Sequence, residues 1–254
     1  MQSNSLCIVV LTDSLYLPGT LRLIESWKTR NPELPVIALS RDSEVLTHPS
    51  LIAQCEQRHR IDKSEYDGIR PYKKSRSKRH AETFYKFEAF QDYGYERNIF
   101  LDSDLLCLRP APLLLQASQH QLLAAIDTGF RKTRGYKGHA TEINTGVLSI
   151  HKSIQGNASV EQLKTIAREN PGRSGYNAGD QGIINKWIQS QKIDLGLLPT
   201  EYNLIKKDYS DTTELETCRL LHFCDRKPWF APRDAPSGLE ALWTGNTARH
   251  KPAD

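Results

Sequence analysis

The sequence predicts a Rossmann-like α/β fold in a single domain of 254 residues. Three observations carry that reading. Residues 5–12 (SLCIVVLT) form a near-continuous apolar run, the mark of a central strand buried on both faces. Pro18 opens a helical pattern in which Leu17, Leu21, Ile24 and Trp27 recur on one face, and residues 34–39 (LPVIAL) follow as a second buried strand. Strand, helix and strand in so short a stretch make a βαβ unit, the start of a nucleotide-binding fold. Finally, two aspartates follow directly on a later apolar strand, where ligands bind in open α/β sheets.

The remaining elements follow in order. Residues 56–80 are polar and basic and read as a loop. Within it, the stretch from Arg70 to His80 (RPYKKSRSKRH) holds six Lys or Arg and one His. Either it is a solvated loop, or it is an arm that approaches an anionic donor, a phosphorylated acceptor or a lipid headgroup. No recognised nucleic-acid module accompanies it, so nucleic acid is not expected as a partner. Residues 81–93 read as a helix with Phe84, Phe87, Ala89 and Phe90 on its apolar side. Residues 98–101 are a short strand, and residues 105–108 resume the apolar pattern. Residues 122–126 and 143–150 are further strands, residues 160–168 and 178–190 helices, and residues 219–223 a late strand. After Trp229 the chain is poorly periodic.

Composition sets the class. With 38% hydrophobic and 25% charged residues, the chain is that of an ordinary globular domain. The net charge of +4 is mild and suits a small polyanion such as a nucleotide diphosphate. The cysteine count is odd, five, and no C-x-x-C pair occurs, so neither a disulfide framework nor a zinc ribbon is expected. Cys7 and Cys107 sit in apolar runs and read as buried thiols. Residues 6–11 are too few for a signal peptide, and no 18-residue apolar stretch spans a membrane. The expectation is a cytoplasmic protein, peripheral at most to the inner face of a membrane.

The sharpest chemical signal is Asp102-Ser103-Asp104. Residues i and i+2 of an extended segment point the same way, so both carboxylates can face one divalent cation. As a bare triplet it also suits a surface turn. His222 ends another apolar strand and could complete the site. Two hard oxygens and one nitrogen suit manganese better than calcium. Lys227, five residues on, could reach a diphosphate. Residues 143–147 (INTGV) place small polar groups before a buried strand, which lets a ligand approach the backbone. Asp180 and Gln181 open a helical pattern, where a carboxylate either caps the helix or faces a sugar.

Taken in order, LTDSLY, YKFEAF, FLDSD, INTGV, AGDQGIIN and HFCDRKPW resemble glycosyltransferase family 8, the family of glycogenin and the bacterial lipopolysaccharide galactosyltransferases. The resemblance runs from about Cys7 to Trp229. It implies a GT-A fold, a Rossmann-like mixed central sheet flanked by helices. It implies a retaining hexosyltransferase that takes its sugar from a UDP-sugar and passes it to a carbohydrate or lipid-linked saccharide acceptor. Leu11, Thr12 and Asp13 would hold the uracil and ribose, and Tyr16 would stack on the uracil. Lys86 would contact the donor. Asp102, Asp104 and His222 would bind Mn2+ or Mg2+, with Ser103 at the ribose. Asn144 and Gly146 would line the donor sugar, Asp180 and Gln181 would face the reacting carbon, and Lys227 would grip the diphosphate. Many members carry the lysine six residues after the histidine and a glycine near position 225. Here the spacing is five and Asp225 stands near that glycine. Arg76 and Arg79 both match the family's basic residue ahead of Lys86.

A sugar-phosphate nucleotidyltransferase and a non-catalytic nucleotide-sugar binding module are the alternatives. The first usually carries a glycine-rich loop after its first strand, whereas this chain has no glycine before Gly19. Without a long C-terminal tail to recruit a partner enzyme, glycogen priming is not the expectation; the length and the basic loop point to bacterial surface-polysaccharide or lipopolysaccharide synthesis. Neither the sugar nor the oligomeric state is readable from the sequence.

Overall fold

The apolar run at the N-terminus forms β1 (Leu6–Leu11), and everything else is arranged on its two faces. Its alternate residues feed two cores. Cys7 and Val9 pack with Ile37, Leu39, Phe100 and Leu148 on one side. Ile8 and Val10 pack with Val36, Ala38, Ile99 and Leu101 on the other. A strand buried on both faces needs no polar alternation, which is why the sequence shows none. The computed structural model describes residues 5–70, 82–128, 142–169, 179–206, 210–224, 226–230 and 238–245.

Around β1 a seven-stranded sheet forms in the order β3-β2-β1-β4-β7-β6-β8. The strands are β2 (Val36–Ser40), β3 (Gln57–Arg60), β4 (Arg97–Leu101), β6 (Leu122–Ile126), β7 (Ile143–His151) and β8 (Leu195–Leu198). Neighbours are parallel except at β7, which runs against both β4 and β6, so the sheet is mixed as expected. A smaller three-stranded sheet joins β5 (Leu105–Cys107), β10 (Leu220–His222) and β9 (Leu204–Ile205). Helix α1 (Leu17–Lys28) covers the second core through Leu23, Ile24 and Trp27. Two short helices follow β2, α2 (Ser43–Leu46) and α3 (Pro49–Ile52), and α4 (Pro112–Leu115) follows β5. Helices α5 (Asn157–Glu169) and α6 (Asp180–Ser190) cover the first core, where Trp187 meets Phe90 edge-on at 5.3 Å. Helix α7 (Leu239–Thr244) closes a third apolar cluster against Leu106, Leu221 and Phe223.

Several elements differ from the sequence reading. Gln57–Arg60 is a strand, not loop. As an edge strand with exposed side chains it buries no apolar face, so no apolar pattern marks it. The aromatic segment is a 3-10 helix over Thr83–Phe90, not an α-helix. A 3-10 turn stacks residues three apart. Phe84, Phe87 and Phe90 thus form one rail in the core, Tyr85 and Glu88 a second rail against Tyr66, and Lys86 points toward Asp102. Three used faces, rather than one apolar stripe, explain the tighter coil. Strands β8 and β9 and helix α7 lack a sequence signal of their own. Of the basic stretch, only Arg70 falls among the described residues.

Two features link the fold to the site. The chain leaves β1 for β2 and β3 on one side and then crosses to β4 on the other, so the topological switch lies between β1 and β4. Crevices at such points are where α/β folds bind ligands. Val10 pairs with Leu101, so the residues that follow both strands emerge together. Because β7 is reversed, its first residues reach the same edge, and Asp102 N–H donates to the Gly146 carbonyl at 2.8 Å. No helix among the described residues is long and apolar enough to cross a membrane.

A candidate metal and nucleotide-sugar site

A cleft of about 420 Å³ opens at this edge. It is lined by Leu11, Thr12, Asp13, Tyr16, Lys86, Asp102, Ser103, Asp104, Asn144, Asp180, Gln181, His222 and Lys227, all of them residues to which the sequence resemblance assigned a role. Gly146 is buried against His222 and Asn144, two residues of this lining. Arg41, Glu82, Thr83, Tyr85 and Cys224 line it as well, and the sequence alone did not single them out for it.

The pairing of β5 with β10 delivers the histidine to the aspartates. His222 stands opposite Leu105, and Phe223 N–H donates to the Asp104 carbonyl at 3.0 Å. His222 Nε2 lies 3.1 Å from Asp104 Oδ1 and 3.9 Å from Asp102 Oδ2. One ligand atom from each of the three residues falls within 4.8 Å of the others. Two carboxylate oxygens and an imidazole nitrogen, converging at that spacing, fit a divalent cation of the Mn2+ or Mg2+ type.

Cations already crowd this acidic centre. Lys86 Nζ sits 2.9 Å from Asp102 Oδ1 and 3.0 Å from Asp180 Oδ2, and it donates to the carbonyl and hydroxyl of Thr145 at 3.2 and 3.3 Å. Its donors are spent on the protein, so it ties the Asp102 carboxylate to the Asp180 carboxylate of α6. Lys227 donates to Asp104 Oδ2 and to the Phe223 carbonyl. Burial pushes the Asp102 carboxyl up, and the nearby Asp104 charge adds to that against the pull of Lys86. For Asp104 the burial is outweighed by His222 and Lys227, which hold it well below the usual carboxylate range. Burial would lower His222, yet Cys224 and Asp104 raise it well above its ordinary value.

The other residues of the cleft are held just as firmly. Asp13 Oδ1 accepts from the amides of Leu15 and Tyr16 at 2.8 and 2.7 Å, shaping the turn into α1. Tyr16 meets Trp229 and Phe230 edge-on at 5.8 and 5.6 Å. Ser103 turns its hydroxyl inward, donating to the Leu11 carbonyl and accepting from Thr20 at 2.8 Å. Gln181 donates to Asp127 Oδ2 at 2.7 Å and accepts from Asn144 at 3.1 Å. Thr145 donates to Asp180 Oδ2 at 3.0 Å. Three residues in this network have no sequence signal: Asp127, Glu142, whose Oε1 lies 3.5 Å from Gln181 Nε2, and Asn203, which donates to Asn144 Oδ1 at 2.8 Å. Each is a lone polar residue beside a strand or turn. Arg76, Arg79 and Asp225 lie outside the described residues.

Comparison with known proteins gives a family and a fold. The model of the family described as Glycosyl transferase family 8 matches residues 7–232. A UDP-glucuronate:xylan alpha-glucuronosyltransferase 2 from Arabidopsis thaliana is 25% identical over 247 residues, 89% of this chain. The chain spans only 35% of that relative's length. The galactosyltransferase LgtC, solved with donor and acceptor sugar analogs, superposes with a TM-score of 0.69 at 18% identity and covers 94% of each chain. The glycosyltransferase GlyE of Streptococcus pneumoniae superposes with a TM-score of 0.61 at 18% identity, over 96% of this chain and 61% of that one. At such identities the structures establish a shared GT-A fold.

Proposed function

The chain belongs to glycosyltransferase family 8, and from that premise we propose that it moves a hexose from a UDP-sugar to a saccharide acceptor with retention of configuration. The observation that carries this reading is the convergence of Asp102, Asp104 and His222 in the cleft at the sheet's switch point. These residues would hold Mn2+ or Mg2+, which when bound stabilises negative charge on a diphosphate.

Transfer breaks the bond between the sugar's C1 and the β-phosphate oxygen and forms a bond from C1 to an acceptor hydroxyl. Charge grows on the leaving diphosphate while C1 becomes cation-like. Lys227, buried beside Asp104 and 6.0 Å from the Tyr16 ring, stands ready to neutralise that diphosphate. A retaining hydrolase would use a free carboxylate as nucleophile. Asp180 is instead tied to Lys86 and Thr145, which favours front-face attack. The acceptor's proton then passes to the leaving phosphate oxygen, and Asp180 and Gln181 stabilise C1 without bonding to it. Leu11, Thr12, Asp13 and Tyr16 take the uracil and ribose, and Asn144 and Gly146 the sugar. A surface-polysaccharide or lipid-linked acceptor fits this reading, with the basic run from Arg70 to His80 meeting an anionic acceptor or membrane face.

Incubating the protein with UDP-hexoses, with and without Mn2+, tests the proposal. Release of UDP and free sugar, or transfer to an added saccharide, that depends on Mn2+ is expected. Formation of sugar-1-phosphate and nucleoside triphosphate in the presence of pyrophosphate would indicate a nucleotidyltransferase. Binding without turnover would indicate a module that only holds the nucleotide sugar.

A further inference from the structure

Asn203 closes the 3-10 turn Thr200–Asn203 and is 1% exposed. It touches two site residues at once. Its Oδ1 lies 2.8 Å from His222 Nδ1, and its Nδ2 lies 2.8 Å from Asn144 Oδ1. The polarity of these contacts follows from their ends. The Gly146 backbone N–H, which can only donate, points at Asn144 Oδ1 at 2.9 Å and so fixes that atom as the oxygen. Asn203 must therefore turn its NH2 to Asn144 and its carbonyl to His222. The Nδ1 of His222 then has to carry hydrogen. That leaves Nε2, the nitrogen facing Asp104 and Asp102, as the one that can take a metal.

The hydrogen-bond chain continues outward from Asn144. Asn144 spends its oxygen on Gly146 and Asn203, so its NH2 faces Gln181 Oε1. The Gln181 NH2 then faces the Asp127 carboxylate, which accepts without conflict. The chain is anchored by an obligate donor at one end and an acceptor at the other, with all its side chains buried.

We infer that Asn203 is a positioning residue that sets which nitrogen of His222 faces the metal and, through Asn144, which way the Gln181 amide points at the reacting sugar. Its two arms serve different steps. The carbonyl arm governs metal affinity, and the NH2 arm governs turnover. This inference rests on the metal reading of Asp102, Asp104 and His222.

Two substitutions separate the arms. Asn203→Leu removes both contacts. Asn203→Asp keeps an acceptor for His222 Nδ1–H but sets a second acceptor against Asn144 Oδ1. Mn2+ affinity is measured by electron paramagnetic resonance on the protein alone, and donor turnover separately. Asn203→Leu should weaken Mn2+ about 10- to 100-fold, the usual loss when a metal-bound histidine loses its hydrogen-bond partner. Asn203→Asp should bind Mn2+ no more weakly than the parent while its kcat falls about 10- to 100-fold. Should the leucine variant not fold, the aspartate variant decides alone: parental kcat, or Mn2+ affinity lost together with kcat, overturns the inference. A folded leucine variant that binds Mn2+ like the parent does the same. A parent protein that binds no Mn2+, unchanged by Asp104→Asn, would instead remove the metal reading itself and this inference with it.

Discussion

A β-carbon built on Gly146 would lie 2.8 Å from His222 Nδ1 and closer still to its Cε1. Real β-carbons do not approach a ring so closely, and behind the imidazole the Nδ1 is already bonded to Asn203. The glycine in the first half of β7 is therefore what lets the histidine of β10 lie against Asp102 and Asp104. Gly146→Ala should push the imidazole outward, lowering Mn2+ affinity and costing about 1–3 kcal/mol of stability as overpacking does. Calorimetric Mn2+ titration and chemical unfolding measure both. Parental affinity in the alanine variant would show that Gly146 does not fix the ring.

Lys227 rests on Asp104, although it follows His222 by one residue fewer than in many family members. Its removal should separate binding from chemistry. Lys227→Ala is expected to cut turnover of the intact donor about 10- to 1000-fold, the scale of one lost charge-stabilising group. Mn2+ affinity should not fall, since an ammonium no longer competes for Asp104. Initial rates together with a metal titration check this. Unchanged turnover would mean that Lys227 does not reach the diphosphate.

The thiols provide a probe of the cleft. Burial pushes Cys55 and Cys107 up to about 11 and Cys218 up to about 12, and it raises Cys7 further still. All four stay un-ionised, hence unreactive, through ordinary pH. Cys224 is half-buried and lines the cleft. Iodoacetamide on the folded protein should modify Cys224 alone by mass spectrometry, and UDP with Mn2+ should slow that reaction. Labelling unaffected by UDP would place the nucleotide elsewhere.

The basic run calls for a test of its own. Replacing Lys73, Lys74, Arg76, Lys78 and Arg79 together by Ser should weaken donor or acceptor affinity, with a smaller salt dependence than the parent shows. Binding constants at two ionic strengths measure it. Parental affinity, turnover and salt dependence would make the run a solvated loop without a ligand.

What the sequence disclosed tracks how directly each feature depends on residue type. The strands β1 and β4 are legible because burial on both faces demands apolar runs, and Asp102 and Asp104 are legible because they follow β4 at once. His222 needed the whole ordered set of motifs, since β5 and β10 bring it to Asp104 across more than a hundred residues. Strand β3, written QRHR, is invisible because an edge strand need bury nothing. The 3-10 coil over Thr83–Phe90 looked α-helical because its phenylalanine rail has a spacing close to that of a helix. Asn203 was beyond reach for a different reason. Its role comes from two partners, Asn144 and His222, that only the fold brings to the same amide.

The central claim is that Asp102, Asp104 and His222 form one metal site that serves a bound UDP-sugar. It is tested most directly by crystals grown with Mn2+ and UDP and measured at the manganese absorption edge. A single anomalous peak in the cleft is predicted, about 2.0–2.3 Å from one oxygen each of Asp102 and Asp104 and from His222 Nε2, with the UDP diphosphate beside it. An ordered UDP with no manganese at these residues, or a peak that leaves His222 out of reach, would contradict it.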